Sequence, residues 1–136
     1  MLKIIIGVAI LTVFCYFVSP YNLVGDSYIN HSELNNPTYD EMIEFLEMDK
    51  TNNHEYTEEY ECRQFANDLI YNASKEKIKV GFVSLDVIDS DIYHSAVAFF
   101  TERGVYIVEP QTDDFINIYD YENYEIYWSP RLYNVD

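Results

Sequence analysis

Between residues 62 and 80 the hydrophobic period of the chain changes, and this restricts the fold more than any other feature of the sequence. Cys62, Phe65, Ala66, Leu69, Ile70 and Ala73 follow one another in steps of three and four, so as a helix they share one face. Directly afterwards "KVGFVSLDVI", "HSAVAFFT" and "VYIVE" read as strands, with "ERG" as the turn between the last two. Upstream, Pro37 and the Thr38-x-x-Glu41 capping box announce another helix, whose apolar stripe is Met42, Phe45 and Leu46 and whose end falls near Asp49. "KTNNHEY" between the helices is a loop. The aromatic and acidic stretch after Pro110 predicts one or two further strands. The order helix, helix, strands predicts an α+β domain in which the cysteine-bearing helix packs on an antiparallel sheet.

The chain has 136 residues, enough for one core and an appendage. Its 49% hydrophobic and 17% aromatic content belongs to a folded chain. The appendage is residues 4 to 18, "IIIGVAILTVFCYFV", an uncharged run behind Lys3. As a helix it reaches ~22 Å of the roughly 30 Å hydrocarbon core, so spanning would draw on "YNLVG" as well. A cleaved signal peptide and a retained signal anchor both stay open. The missing A-x-A-like cleavage site favours the anchor. In either case the remainder is expected outside the cytoplasm, membrane-anchored or secreted. The expected organisation is therefore residues 1–25 as anchor or signal, 26–36 as a polar linker and 37–136 as the domain.

All 24 acidic residues and seven of the eight Lys and Arg follow Gly25, giving that part a net charge of −17. Such a field repels nucleic acid and anionic head groups, which argues against a nucleic-acid partner. Two sequons, at Asn30 and Asn72, permit glycosylation, although the second falls inside the cysteine helix.

Of the two cysteines, Cys15 lies within the apolar run, which leaves Cys62 as a lone thiol in a compartment where thiols usually pair. The first turn of a helix lowers a thiol's pKa through its unpaired N–H groups and dipole. A neighbouring imidazole would complete the activation, and a carboxylate on the other ring nitrogen would orient it. His94 at the start of one strand and Glu109 at the end of the next supply those types. Three other readings stay open: an inert buried cysteine, a hydrogen-bonded edge histidine, and a zinc site on the same three residues that lacks close ligand spacing.

"YECRQFA" followed by "HSAVAFFTERGVYIVEP" resembles the transglutaminase-like superfamily of the papain-like fold, in which a Cys-x-x-Phe-Ala helix start precedes a His-Ala strand and an Asp-Pro at the end of the next strand. Residues 37 to 56 also resemble the segment before the cysteine in a small prokaryotic subfamily, so the likeness covers about residues 37 to 112. It implies a papain-like core with Cys62 as nucleophile, His94 as general base and acid, and Glu109 as third member, where the superfamily more often has Asp. The implied activity is a cysteine hydrolase or acyl transferase acting on an amide or peptide bond of a protein or peptide, with no metal or organic cofactor. The oxyanion donors expected are the Cys62 N–H and a side chain of the preceding loop, Tyr56 or Tyr60. A surface binding module that kept the fold and lost the chemistry is the alternative.

Strand register decides whether Glu109 can meet His94. Pairing Thr101 with Val105 sets Glu109 opposite Val97 on the wrong face, whereas pairing Phe100 with Val105 sets it opposite Ala96, on the face of His94. The second register is predicted, with Gly104 closing the turn.

Overall fold

The computed structural model describes residues 31–127. It is an α+β arrangement with two helices and one four-stranded antiparallel sheet. Helix α1 spans Tyr39–Met48 and α2 spans Cys62–Lys75. The strands are β1 (Val80–Val87), β2 (Tyr93–Thr101), β3 (Gly104–Val108) and β4 (Tyr121–Tyr127), in spatial order β3-β2-β1-β4. The anchor, Cys15 and the Asn30 sequon lie outside the described residues. Among the described residues no helix is long and apolar enough to cross a membrane.

Helix α1 starts where its capping box dictates. The Glu41 N–H donates to Thr38 Oγ1 at 3.2 Å, and the Thr38 N–H donates to Glu41 Oε2 at 2.8 Å, which satisfies two of the donors that a helix start leaves open. Its stripe of Met42, Phe45 and Leu46 is buried, as is the α2 stripe from Phe65 to Ala73. Both stripes close on one face of the sheet, on Val80, Phe82, Val97, Phe99 and Val108. At ~25 cal/mol per Å², each large side chain of this layer contributes about 1.5–3 kcal/mol.

The other face carries a second core of Val83, Leu85, Ala96, Ala98 and Ile107. No helix covers it. The β3–β4 connection lies over it instead with Ile116 and Ile118, joined by Tyr121 and Ile126 of β4. Among the described residues the stretch after Pro110 therefore forms one strand and a cover, and β4 pairs with β1 rather than extending the β2–β3 hairpin. The linker is anchored at its end: the Asn35 N–H donates to the Lys77 carbonyl at 2.9 Å, and the Lys79 N–H donates to the Asn35 carbonyl at 2.8 Å.

Strand β2 pairs with β3 in the predicted register, Phe100 opposite Val105. The loop is tighter than expected, because Thr101 and Gly104 also pair and leave only Glu102 and Arg103 between them. Gly104 has φ +132°, a region that L side chains rarely adopt, which is why glycine closes this turn.

Candidate active site

The sheet geometry brings the start of β2 and the ends of β1 and β3 to one end of the molecule, where α2 begins. Cys62 is the first residue of α2. Its N–H belongs to the first turn and has no intrahelical acceptor. The start is set by Glu61, whose N–H donates to Gln64 Oε1 at 3.1 Å. Before it, Thr57 and Tyr60 exchange two backbone hydrogen bonds of 3.1 Å, a small turn that delivers the chain to the helix. Phe65 holds this lead-in by ring contacts with Tyr60 at 4.6 Å, Tyr56 at 6.4 Å and His54 at 6.5 Å.

Glu109 follows Val108, the last residue of β3 paired with Val97, so continuing the register sets it opposite Ala96. That is the side of His94, and Glu109 Oε2 contacts His94 Nε2, each side chain being 19% exposed. The carboxylate is fixed from behind as well: its Oε1 accepts the Gln111 N–H at 3.3 Å. Its backbone N–H donates to the Asp114 carbonyl at 2.9 Å, and its carbonyl accepts the Asp113 N–H at 2.8 Å.

With Nε2 on Glu109, Nδ1 is the ring nitrogen left for the thiol. The Cys62 thiol is half-buried and held below its ordinary pKa, first by hydrogen bonding with His94, against burial, and then by the backbone and side chain of Ser95. His94 is raised to about 9, first by Cys62 and then by Glu109, against burial. The two shifts favour the same state, a thiolate beside an imidazolium. Ser95 is a participant that the sequence reading passed over; it stands directly after His94 as a polar residue, only 9% exposed, on a buried strand.

The two tyrosines proposed for the oxyanion differ. Tyr60 donates its hydroxyl to Asp68 Oδ2 at 2.5 Å, farther along α2, and its pKa is raised by burial first and that bond second. Tyr56 is exposed, and its pKa is raised by burial, then by the charges of Glu61 and Cys62. The pKa of Tyr121 is raised by burial first and then by the charge of Glu109. The Asn72 sequon is engaged, its Nδ2 donating to Asp49 Oδ1 at 2.8 Å and Thr51 Oγ1 at 3.3 Å. Among the described residues no group of three or more His, Cys, Asp and Glu is arranged to hold a metal ion.

No family model matches the chain, and no curated protein matches it. Solved structures do. One is a Polyporus squamosus lectin bound to a human-type influenza-binding epitope, with a TM-score of 0.56 and 17% identity, over 70% of this chain and 38% of that one. Another is a complex described as PSL1a-E64, with a TM-score of 0.55 and 18% identity, over 67% of this chain and 37% of that one. The chain thus spans less than two-fifths of either, and the likeness is one of fold.

Proposed function

We propose that the chain is a cysteine hydrolase or acyl transferase of the papain-like, transglutaminase-like kind, acting on an amide or peptide bond of a protein or peptide outside the cytoplasm. The observation that carries this reading is His94, which interacts with the Cys62 thiol on one side and the Glu109 carboxylate on the other. In the reaction the Cys62 thiolate adds to the carbonyl carbon, forming a C–S bond, and the oxyanion is received by the Cys62 N–H, with Tyr56 as the candidate second donor. Collapse breaks the C–N bond while the His94 imidazolium gives its proton to the leaving amine. His94, now neutral, takes a proton from water or from a second amine, which resolves the thioester by hydrolysis or transfer. Glu109 keeps the ring oriented and supports its charged form.

The second reading, a binding module that retains the fold without the chemistry, is favoured by the sialylated epitope named for one structural neighbour and by Glu61 beside the thiol. One experiment separates the two. The intact protein is treated with E64, a thiol-directed epoxide, or with iodoacetamide across pH, and the label is assigned to Cys62 by peptide mapping. An activated Cys62 reacts at full rate well below the ordinary thiol pKa of about 8.5, and His94→Ala removes the advantage. A rate that follows an ordinary thiol titration, or no reaction in the folded protein, overturns the catalytic reading.

A further inference from the structure

We propose that the rim of this site binds an extended polypeptide segment that is rich in lysine and arginine and also presents apolar side chains. The proposal rests on the reading above only for where the reacting bond would lie; the binding itself requires no chemistry.

The argument begins with where the charges fall. At the site end the chain passes through the lead-in to α2, the β1–β2 turn and the start of β4. These carry Glu58, Glu59, Glu61, Asp89, Asp91 and Glu122, all exposed. Among the described residues none of them pairs with a lysine or arginine. The Asp89 N–H donates to Glu122 Oε1 at 3.4 Å, which ties two of the three segments together. Of the six cations in the described residues, Lys75, Lys77, Lys79 and Arg103 lie at or beyond the far ends of α2 and β2, which leaves Lys50 and Arg63 near the site. Exposed charges of one sign without a cationic partner raise the local concentration of the opposite sign.

Charge alone would suit any cation. The same rim, however, exposes Tyr56 at 59%, Ile92 at 65% and Tyr93 at 73%, one just ahead of the thiol's helix and two at His94. Such residues gain from contact with apolar side chains and, for the tyrosines, with the heads and stems of lysine and arginine. A small polyamine offers little of this contact. A divalent cation would need several carboxylates converging on one point, whereas these are spread over three segments.

The test uses the full-length protein and two fluorescent peptides of equal length and apolar content, one lysine-rich and one glutamate-rich, followed by anisotropy. The lysine peptide should bind about tenfold or more tighter, since several exposed ion pairs, each weak alone, together approach one decade. The preference should fall at about 1 M salt, where the Debye length is ~3 Å, and in the combined variant Glu58→Gln, Glu59→Gln, Asp91→Asn. Equal affinities, or a preference unchanged by that variant, would overturn the proposal. Displacement of the peptide by spermine or calcium at the peptide's own affinity would overturn its polypeptide part. A lysine peptide that binds as expected while Cys62 stays inert to E64 would remove the enzyme and keep the surface. Labelling of Cys62 with no charge preference would do the reverse.

Discussion

The two ends of the sheet are built on opposite rules. At the hairpin end, the charges of the β2–β3 turn are matched and local. Arg103 in the β2–β3 turn meets Asp40 at 3.1 Å and Glu102 at 3.3 Å, with its guanidinium 4.5 Å from the centre of the Tyr39 ring. Glu102 in turn accepts the Tyr39 N–H at 2.8 Å, so the turn caps the start of α1. At the site end, carboxylates are unmatched, aromatic rings are exposed and the groups that do pair are the half-buried Cys62, His94 and Glu109. The turn at one end pairs its charges, and the other end leaves exposed carboxylates without a lysine or arginine partner among the described residues. Compromises of this kind concentrated at one end are what the proposed function would require there.

The sharpest way to break this contrast is Cys62→Ser. It should abolish E64 labelling at this position and lower the release of nitrophenol from an activated ester by about a thousandfold or more, while circular dichroism and melting stay near those of the parent. Full esterase activity in the serine variant would take the site end out of the chemistry altogether.

Glu109→Gln comes next, because the amide keeps the size and loses the charge. Turnover of the ester should fall by about a hundredfold. The pH profile gives the more specific reading. His94 is raised to about 9, so activity that needs its proton should be sustained below that value and decline as pH passes through it. Without the Glu109 charge, one of the causes of that shift, the upper limb should move toward the ordinary histidine range near 6.5. An upper limb left in place would reduce the site to Cys62 and His94.

At the hairpin end the expected effect is on stability. A Cβ at Gly104 would meet nothing within 4 Å, so the penalty of Gly104→Ala is conformational alone, from φ +132°. It should cost about 1–2 kcal/mol in denaturant unfolding and leave the rate of Cys62 labelling unchanged. A variant that also slowed labelling would mean that the two ends are not separable, since the β2–β3 register fixes Glu109 as well.

The elements legible in the sequence were those governed by short spacing. The Thr38 and Glu41 box, the two helix stripes and the alternation within β2 and β3 act over a few residues, and even the Glu109 register followed from turn parity and one glycine. What was not legible joins residues far apart. The β3–β4 connection covers the second sheet face with Ile116 and Ile118, whose two-residue spacing reads as a strand although they lie ahead of β4 and cover the sheet instead of joining it. Tyr60 has its hydroxyl on Asp68, a pairing no motif announces. Asn52 donates to Asp113 across 61 residues. Such pairs are selected by tertiary placement, and no local propensity records them.

That last pair carries the smallest prediction, and it sits just behind the site. Asp113 has φ +62°, which Asp and Asn tolerate better than most residues, and its Oδ2 accepts from Asn52 Nδ2 at 2.5 Å. Its Oδ1 is buried without a partner. Burial first and the Asp49 charge second raise its pKa to about 6. A raised carboxylate favours folding in its protonated form, so this stability is fully present below the unfolded value near 3.9 and is lost as pH rises through about 6. At pH 7.5 the ionised side chain therefore costs the fold about 1 kcal/mol, after allowance for its partial exposure. Asp113→Asn removes that charge, keeps an oxygen for Asn52 and presents an N–H₂ toward the Asp49 side. Melting temperature should rise by roughly 4 °C at pH 7.5, and the gain should vanish near pH 4, where the parent is already protonated. Equal gains at both pH values would trace the effect to packing instead of charge. The Asp113 N–H that braces the Glu109 carbonyl is retained in the amide, so Cys62 labelling should not change.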